Sequence, residues 1–542
     1  MSWETHTGAK VDHPFFRHCE QQTETPVRGT IVKGHLPPWL TGVLIRNGPG
    51  VQKFGNTSYA HLFDGCSVLH KFKIANGEAT YQSRALESEA YQRNTAANRI
   101  VVSEFGTHSF PDPCLSILGR LQAKFEAVLG KGNREMEMTD NCSVNVGYYG
   151  DQLYAMTETV FIRRVDPESL KCIGDKTRIR DHCALNTATA HPHCFEDGTM
   201  LNVGNNFKHK GGPHYCFVKV PPKFNSEETA YKEATIIGSI PSRWKFNPSY
   251  FHSFGMTLDK IIFVEAPLCL NIVSMLSSPL WNKSYEECMT WYPNEKARFH
   301  VLSMDDGKPV PITYETDAFF TFHHINSYVS DDGAEIICDV AGYNDGEFVK
   351  KANVNQLKTD LDAMNGATAR RFILPLSIEG AKIDENLVKM KNTTATAVLR
   401  PGNVVHLTPH HINKEWAELP RINYSYNGKK YKYTYAIASS EDVMNYTIPS
   451  ATKISKINVD DGTTKSWLSK GVMVSEPIFV QDPTKPSGAE DDGVVLTTVF
   501  HTNPKEVSLV VLNAPDMTEL CEIKFEASGT VTSTFHGIWN SN

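Results

Sequence analysis

The sequence predicts an all-β protein, and two observations favour a propeller among the all-β architectures. Short β-branched and aromatic runs alternate with polar turns along the 542 residues, as in LYAMTETVFIRRV, KIIFVEAPLCL, EIICDVAGY, YKYTYAIAS, GVVLTTVF and VSLVVLN. Such spacing indicates a sandwich, a barrel or a propeller rather than alternating helices and strands. The second observation is a hairpin that recurs without strict sequence identity, which suits a propeller.

In the recurring hairpin, an apolar strand leads into an acidic turn and then into a second strand. The turns are centred on Asp166, Asp305, Asp460 and Asp516. The last two turns lie about one propeller blade apart, since a blade takes roughly 40 to 50 residues. We therefore predict a strand pair around each of these four turns.

Composition and charge exclude several classes of protein. The chain is 40% hydrophobic with a net charge of -7 and no long Lys/Arg run, so nucleic acid is excluded as a partner. Its twelve cysteines are scattered without a C-x-x-C pair, as in proteins of a reducing compartment. The N-terminus carries no apolar signal segment. We expect a cytoplasmic protein that is soluble or peripherally bound to a membrane.

Two stretches depart from the strand pattern. Apolar residues recur at helical spacing between Leu115 and Leu129, and Leu268 to Trp281 is apolar with almost no charge. In one interpretation both stretches pack onto the propeller as core. In the other they form a membrane-binding patch, near residues 111–131 and 268–281, that lies in the headgroup layer.

Four histidines lie in or beside apolar, strand-like runs spread along almost the whole chain. They are His191 in TAHPHCF, His252 in YFHSFGMT, His323 in FFTFHHINSY and His536 in TSTFHGIW. Burying an imidazole is costly unless its ring nitrogens have partners, and one metal ion would satisfy all four. The alternative, for each taken alone, is a core histidine with an ordinary partner. His193 and His324 are weaker candidates, because nearby strand side chains diverge, and we expect His324 to face away from the metal.

Three glutamates in strand-like contexts strengthen the prediction of a metal site. They are Glu158 in MTETVF, Glu418 in AELPRIN and Glu476 in VSEPIFV. A metal-bound imidazole usually donates its other N–H to a carboxylate or carbonyl, and a buried glutamate needs such a partner too. Four imidazoles without a carboxylate ligand leave iron(II) its full charge and, in an octahedral site, two open positions. This arrangement suits the activation of dioxygen.

At these residues the chain resembles the carotenoid cleavage oxygenase family. The resemblance runs from RNGPG at 46–50 through LFDG, TAHPH, HSFG, FHHIN, NTTATA, SEPIFV and DDGVV to FHG, and covers nearly the whole chain. PDPC and NTTATA indicate the animal branch. That branch includes β-carotene 15,15′-dioxygenases, eccentric dioxygenases, the retinal-pigment-epithelium retinoid isomerohydrolase and the insect carotenoid isomerooxygenases, and the chain is most similar in character to the insect group.

The resemblance implies one domain over residues 1–542, a seven-bladed β-propeller with an axial Fe(2+) site under a helical and loop cap. It implies that the four histidines above bind the iron and that Glu158, Glu418 and Glu476 orient His252, His323 and His536 respectively. His191 is then left without a carboxylate. Thr157 corresponds to a position near the open iron coordination site, and Tyr343 to an aromatic of the substrate cleft. Cys114 of PDPC corresponds to a cysteine that relatives can palmitoylate, and the alternative is an unmodified thiol.

The implied function is cleavage of a carotenoid, such as β-carotene or zeaxanthin, with dioxygen as co-substrate. Cleavage at the central 15,15′ bond would give two retinal-type aldehydes, and one half would be converted to the 11-cis form. Because a carotenoid is insoluble in water, the resemblance favours a membrane surface as partner and peripheral attachment to an intracellular membrane. The alternatives are a retinyl-ester isomerohydrolase, an eccentric dioxygenase, and a carotenoid-binding propeller with a structural metal.

Overall fold

The computed structural model describes residues 3–4, 10–11, 13–110, 138–281, 283–357, 366–438, 452–469, 471 and 473–541. Its main feature is a ring of seven β-sheets, each with four to six strands. We call these sheets blades 1 to 7, in the order in which the chain from residue 145 enters them. This is the seven-bladed propeller that the family resemblance implied.

Blades 1 and 2 are built from consecutive chain segments. The strands of blade 1 are Asn145–Tyr149, Gln152–Met156, Phe161–Val165 and Thr177–Arg178. Those of blade 2 are Thr187–Ala188, His193–Cys194, Met200–Asn206, His214–Val220 and Thr235–Pro241. Consecutive strands joined by short turns keep the pairing in both blades antiparallel.

Blade 3 includes two strands from within the chain segment of blade 4. The strands of blade 3 are Gly255–Met256, Lys260–Glu265, Ala297–Ser303, Thr313–Thr316, Thr396–Arg400 and Val404–Thr408. Those of blade 4 are Phe320–Val329, Glu335–Tyr343, Thr368–Pro375 and His410–Trp416. The last two strands of blade 3 come from within the blade 4 sequence, and one of them, Val404–Thr408, pairs in parallel with Thr313–Thr316.

Blades 5 to 7 close the ring. Blade 5 consists of Glu418–Arg421, Tyr433–Ala438, Lys453–Asn458 and Thr464–Leu468. Blade 6 consists of Met473–Val474, Ile478–Gln481, Gly493–Phe500, Glu506–Asn513, Glu519–Glu526 and Thr30–Gly34. Blade 7 consists of His536–Asn540, Gly42–Val51, Cys66–Ala75, Glu78–Ala85 and Val27–Arg28. Both blades 6 and 7 therefore combine strands from the two ends of the chain.

The four acidic turns predicted from the sequence lie where expected. Asp166 and Asp305 follow the third strands of blades 1 and 3, and Asp460 and Asp516 connect outer strands of blades 5 and 6. The Asp516 carboxylate accepts hydrogen bonds from the backbone N–H and hydroxyl of Thr518, at 2.9 and 2.6 Å. Such a carboxylate satisfies the turn locally, which is why the motif recurs from blade to blade.

The hydrophobic core lies between neighbouring blades. Separate apolar clusters fill the gaps between blades 1 and 2, 2 and 3, 3 and 4, and 4 and 5, and a larger cluster joins blades 5, 6 and 7. A further cluster with Ile45 and Val146 joins blade 7 to blade 1 and completes the ring. Each blade therefore buries both of its faces, and the short inner strands are left to build the site.

The remaining elements are short. The α-helices are Glu89–Ala97, Ile272–Trp281, Glu347–Lys351 and Val354–Leu357. The 3-10 helices are Pro14–Phe16, Ile179–Asp181, Ala230–Glu233, Glu286–Cys288 and Tyr424–Tyr426. Three two-stranded sheets pair Trp3–Glu4 with Lys10–Val11, Lys53–Phe54 with Thr57–Ser58, and Leu268–Leu270 with Met289–Trp291. Among the described helices, none is long and apolar enough to cross a membrane.

Candidate metal centre

Each of the seven blades contributes one side chain to a cluster at the inner strands. Blades 2, 3, 4 and 7 supply the histidines His191, His252, His323 and His536, and blades 1, 5 and 6 supply Glu158, Glu418 and Glu476. These residues are scattered over the 379 positions from Glu158 to His536. The ring brings them together because an inner strand, or the segment beside it, reaches the centre from every blade.

The four imidazoles converge. One ring nitrogen from each histidine lies within 4.8 Å of the corresponding nitrogen of every other. The Nε2 atoms of His191 and His252 are 2.8 Å apart, and the ring centroids of His191 and His536 are 4.3 Å apart. At the position of His323 the pairing with the next strand shifts register, and such a bulge re-aims side chains.

Three of the imidazoles are held by the three glutamates. Nδ1 of His323 lies 2.6 Å from Oε2 of Glu418, and Nδ1 of His536 lies 2.8 Å from Oε1 of Glu476. Nδ1 of His252 contacts Oε1 of Glu158. The pairing of glutamates with histidines that the resemblance implied is thus the pairing in the structure.

His191 differs from the other three. Among the described residues, no carboxylate contacts its ring, and its backbone N–H donates to Thr189 Oγ1 at 3.1 Å. Burial lowers the pKa of its imidazole well below the ordinary range, and the neighbouring histidines add to this effect. His191 is therefore neutral at physiological pH, as a metal ligand must be.

The Glu476 carboxylate is surrounded by charged and backbone donors. Arg421 Nε donates to its Oε1 at 2.7 Å, and the Gly537 N–H donates to its Oε2 at 2.9 Å. Burial would raise the pKa of Glu476, but the positive charge of Arg421 and the hydrogen bond from His536 outweigh it and bring the pKa to about 2. The carboxylate is thus ionised and fixes the proton of His536 on Nδ1.

The other two carboxylates are held by tyrosines. Tyr250 Oη donates to Glu158 Oε2 at 2.8 Å, and Tyr343 Oη donates to Glu418 Oε1 at 2.6 Å. Leu419, which follows Glu418, has a positive φ of 47°, and its backbone N–H donates to Oε2 of that carboxylate at 2.8 Å. A leucine in this conformation is strained, and such strain often occurs at functional sites.

The donor set fits a metal ion. In the three imidazoles whose Nδ1 faces a carboxylate, the lone pair is on Nε2, which points toward the cluster. Nε2 of His323 is buried and has no hydrogen-bond partner among the residues that the structure describes. A buried ring nitrogen without a partner is costly, and a bound metal ion removes that cost. Four imidazoles suit iron, zinc, copper or nickel.

A cavity of about 260 Å³ adjoins this centre. Three of the four imidazoles line it, those of His252, His323 and His536, and they are the three that a glutamate holds. Most of the wall is aromatic or aliphatic, including Phe63, Phe105, Phe322, Phe348, Trp416, Phe535, Leu62, Leu270, Met275 and Met473. The cavity can therefore accept an apolar molecule beside the metal-binding atoms.

The remaining sequence predictions have mixed outcomes. Thr157 and Tyr343 both line the cavity, beside Glu158 and Glu418 respectively. His324 takes no part in the cluster, since its Nδ1 lies 3.0 Å from Ser253 Oγ, as expected. Cys114 and the stretch 111–131 lie outside the described residues.

The second stretch, 268–281, is partly buried against the cavity and partly exposed. Leu268–Leu270 is a strand and Ile272–Trp281 a helix. Leu270 and Met275 face the cavity, whereas the side chains of Val273 and Leu276 are 59% and 55% exposed.

Sequence reasoning missed Tyr250 and Arg421, which hold two of the three glutamates. Each lies close to a predicted site residue, because Tyr250 precedes His252 by two positions and Arg421 follows Glu418 by three. Alternation along an extended segment could have placed Tyr250 on the same side as His252. Arg421 gave no such signal, since it contacts the glutamate of the next blade.

Comparison with known proteins shows the family of the chain. A profile of the retinal pigment epithelial membrane protein family matches residues 16–541. The Gallus gallus beta,beta-carotene 15,15'-dioxygenase is 38% identical over 93% of this chain and 94% of its own length. The human protein of the same name is 36% identical over 98% and 94%, respectively. The mitochondrial carotenoid-cleaving dioxygenase of Macaca fascicularis is 37% identical over 90% and 88%.

Solved structures share the fold. A mutant of Synechocystis apocarotenoid oxygenase superposes with a TM-score of 0.74 at 21% identity, over 98% of both chains. An ACO/RPE65 chimera superposes with a TM-score of 0.75 at 21% identity, again over 98% of both chains. The chain therefore belongs to the retinal pigment epithelial membrane protein family, a family of carotenoid oxygenases, and is an enzyme of that family.

Proposed function

We propose that this chain is an iron(II)-dependent dioxygenase that cleaves a carotenoid at its central 15,15′ double bond to give two retinal-type aldehydes. The observation that carries the proposal is the convergence of four imidazoles, with no carboxylate among them, beside an aromatic-lined cavity. The names of relatives that are 36 to 38% identical support the choice of substrate and bond.

In this proposal His191, His252, His323 and His536 hold the iron, which when bound supplies the activation of dioxygen. Glu158, Glu418 and Glu476 keep the proton of three imidazoles on Nδ1, so that Nε2 stays free to bind. Burial lowers the pKa of His536 to about 4, despite the opposing effect of Glu476. That imidazole therefore stays neutral over the physiological pH range.

In this proposal the cavity wall positions the substrate and excludes water. Phe322 packs edge-on against His252, with ring centroids 5.3 Å apart, and against Tyr343 at 5.7 Å. Such a wall excludes water and aligns an apolar chain through dispersion contacts. A polyene has many similar double bonds, so the depth of the cavity decides which bond lies beside the metal. Thr157 lines the cavity next to Glu158, and we propose that it contacts dioxygen or the polyene.

The proposal extends to isomerisation. The resemblance to the insect isomerooxygenases suggests that one half of the cleaved polyene leaves as the 11-cis form. This part of the proposal requires the wall to hold the polyene twisted on one side of the metal. The rings of Phe63, Phe320 and Phe348, which pack edge-on around Phe322, would have to hold that twist.

The proposed activity is tested by incubating the iron-loaded protein with β-carotene or zeaxanthin in detergent, with and without dioxygen, and separating the product isomers. We expect dioxygen-dependent C20 aldehydes, with equal amounts of 11-cis and all-trans forms. All-trans product alone would refute the isomerisation and leave the cleavage. Cleavage without dioxygen, or 11-cis-retinol from a retinyl ester instead, would refute the dioxygenase proposal.

Matched variants separate catalysis from mere binding. His323→Ala removes a proposed metal ligand, whereas His324→Ala changes its neighbour, whose ring contacts Ser253 away from the cluster. We expect His323→Ala to lose turnover and His324→Ala to retain it. Turnover retained by His323→Ala would refute its proposed role as a metal ligand in catalysis, and no turnover by the wild type would favour a carotenoid-binding propeller with a structural metal.

We further propose that the exposed face of helix Ile272–Trp281 docks on a lipid surface and admits the substrate. The exposed side chains of Phe246, Val273 and Leu276 lie beside Leu270 and Met275, which line the cavity, and Ile272 N–H donates to Phe246 O at 3.0 Å. An apolar substrate could then pass from lipid into the cavity without crossing water. The same face and residues 111–131 would form the peripheral membrane patch, with Cys114 as a site of lipidation.

Vesicle binding tests this surface. We expect Val273→Asp/Leu276→Asp to abolish co-sedimentation with phosphatidylcholine vesicles. Leu258→Asp is the matched control, since Leu258 is equally exposed in a turn of blade 3. Loss of binding in the control, or undiminished binding of the double variant, would contradict docking through this helix.

A further inference from the structure

Tyr343 joins the cavity wall to the cluster of histidines. It is the last residue of strand Glu335–Tyr343 in blade 4 and pairs with Phe320 of the strand that carries His323. Its buried ring packs against Phe322 and Phe348, with centroids 5.7 and 5.2 Å apart, and lines the cavity. Its hydroxyl leaves the wall and donates to Glu418 Oε1 at 2.6 Å.

The Glu418 carboxylate has both oxygens engaged. Oε2 accepts from His323 Nδ1 at 2.6 Å and from the Leu419 N–H at 2.8 Å, and Oε1 accepts from Tyr343. The Leu419 donor is the next residue in the chain and acts on the same oxygen as the imidazole. The tyrosine hydroxyl is therefore the contact that stops the carboxylate from rotating about its Cγ–Cδ bond. A fixed carboxylate in turn fixes the imidazole.

We propose that Tyr343 is a positioning residue that fixes the His323 imidazole through Glu418. The inference rests on the proposed function in one respect, namely that His323 binds the metal. Burial raises the pKa of the Tyr343 phenol well above its ordinary range, and the Glu418 charge adds to this, so the hydroxyl keeps the proton that it donates. A hydrogen bond to an ionised acceptor is roughly twice as strong as a neutral one.

The contact of Glu158 in blade 1 with His252 in blade 3 has the same construction. We call each glutamate, with its histidine and its other donors, a corner of the site. Tyr250 donates to Glu158, which holds His252, and Tyr250 lines the same cavity. The Glu158 side chain is more exposed than that of Glu418, 24% against 8%. The tyrosine at Glu418 therefore acts in the drier environment, where a hydrogen bond is electrostatically stronger.

Metal release tests the inference without any turnover. Tyr343→Phe keeps the ring in the wall and removes the hydroxyl, and Tyr285→Phe makes the same change at another tyrosine that lines the cavity. Each variant is loaded with cobalt(II), and release to a chelator and the visible absorption of the bound cobalt are measured. We expect release about 10-fold faster and an altered spectrum for Tyr343→Phe, in keeping with the loss of a contact behind a metal ligand. Tyr285→Phe should match the wild type.

A double-variant cycle decides whether Tyr343 acts through Glu418. In a Glu418→Gln background, adding Tyr343→Phe should change the release rate no further, and additive effects would overturn the proposal. Release and spectrum unchanged in Tyr343→Phe alone, or changed equally in Tyr285→Phe, would also overturn it. Thermal unfolding of each variant checks that the fold is retained.

Kinetics give a second readout. If the wild type cleaves β-carotene, we expect Tyr343→Phe to lower kcat with KM unchanged, because the ring still lines the cavity. An increased KM at unchanged kcat would instead make Tyr343 a substrate contact and overturn the positioning role. If the wild type binds cobalt but cleaves no carotenoid, the proposed function fails while the metal-release comparison still tests Tyr343.

Discussion

The corner of the site at Glu476 and the two corners at Glu158 and Glu418 do the same task with different chemistry. Glu476 is held by the guanidinium of Arg421 and the backbone of Gly537, where blades 6 and 7 close the ring. Glu158 and Glu418 are held by the phenols of Tyr250 and Tyr343, whose rings line the cavity. The donor side chain is charged where the ring closes and neutral at the apolar cavity wall. We call the Glu476 corner the closure corner, and the Glu158 and Glu418 corners the wall corners.

This difference follows from desolvation. A guanidinium in the wall of an apolar cavity would lose its hydration without a second anion to compensate. At the closure, Arg421 is matched by Glu476 and remains partly exposed, and Arg46 donates to the Glu476 backbone carbonyl at 2.5 Å. A phenol holds a carboxylate without adding charge, so it can also serve as an apolar wall. We infer that the closure corner is built for stability and the wall corners for positioning.

The largest expected effect is on folding, from breaking the closure corner. Glu476→Gln leaves the buried guanidinium of Arg46 and the half-buried one of Arg421 without their anion. Removing one partner of a buried ion pair costs about 3 to 5 kcal/mol, and we expect the lower end because Arg421 reaches solvent. Urea unfolding at neutral pH measures it.

Glu506→Gln is the matched control for Glu476→Gln. Glu506 pairs with Lys524 near the surface of the same blade, and such pairs contribute about 0 to 1 kcal/mol. If both variants lost the same small amount of stability, the closure corner would not be the stabilising one, and the contrast drawn above would fail.

The next effect is on metal affinity, from changing the wall corners. Glu418→Gln and Glu158→Gln keep the size of the side chain but weaken the acceptor for Nδ1. We expect metal affinity to fall about 10- to 100-fold with modest loss of stability, more for Glu418→Gln because its side chain is the more buried. Competition with a chelator, measured with cobalt(II), gives the order. A larger loss for Glu158→Gln would show that burial does not govern these corners.

The sequence predicted the parts of the site that carry a local signal. A histidine in FFTFHHINSY or a glutamate in VSEPIFV is unusual for its apolar surroundings, and that conflict marks it. The all-β class and the four acidic turns followed from alternation and turn chemistry. The number of blades and the pairing of glutamates with histidines came from the family resemblance, since neither leaves a local trace.

What the sequence did not predict depends on contacts between blades. Arg421 belongs to blade 5 but holds the glutamate of blade 6, and the strand Val404–Thr408 leaves the blade 4 sequence to pair with blade 3. No periodicity within one segment reports such a partner. The hydroxyl of Tyr343 is a similar case. In the sequence, Tyr343 is one of many aromatic residues in strands, and nothing there indicates a partner for its hydroxyl.

The last expected effect is on the pH dependence of stability, and it concerns a carboxyl that has neutral donors, as the wall corners do, but no imidazole. Asp64 is buried and accepts from the Gly106 N–H at 2.9 Å and from the Thr107 hydroxyl. Burial raises its pKa to about 7, in spite of these hydrogen bonds. In the unfolded chain the pKa of an aspartate is about 3.9, so the folded state holds the proton more tightly. The stabilisation by that proton is complete below about pH 4 and is lost as the pH rises toward 7, at up to about 1.4 kcal/mol per pH unit.

Asp64→Asn removes this titration, so we expect the stability of the wild type to fall relative to the variant between about pH 5 and pH 7. Thermal unfolding of both proteins across that range measures the difference. Parallel pH profiles would mean that neutral donors suffice to keep a buried carboxylate ionised, and the His323 imidazole would then not be needed to explain the lowered pKa of Glu418.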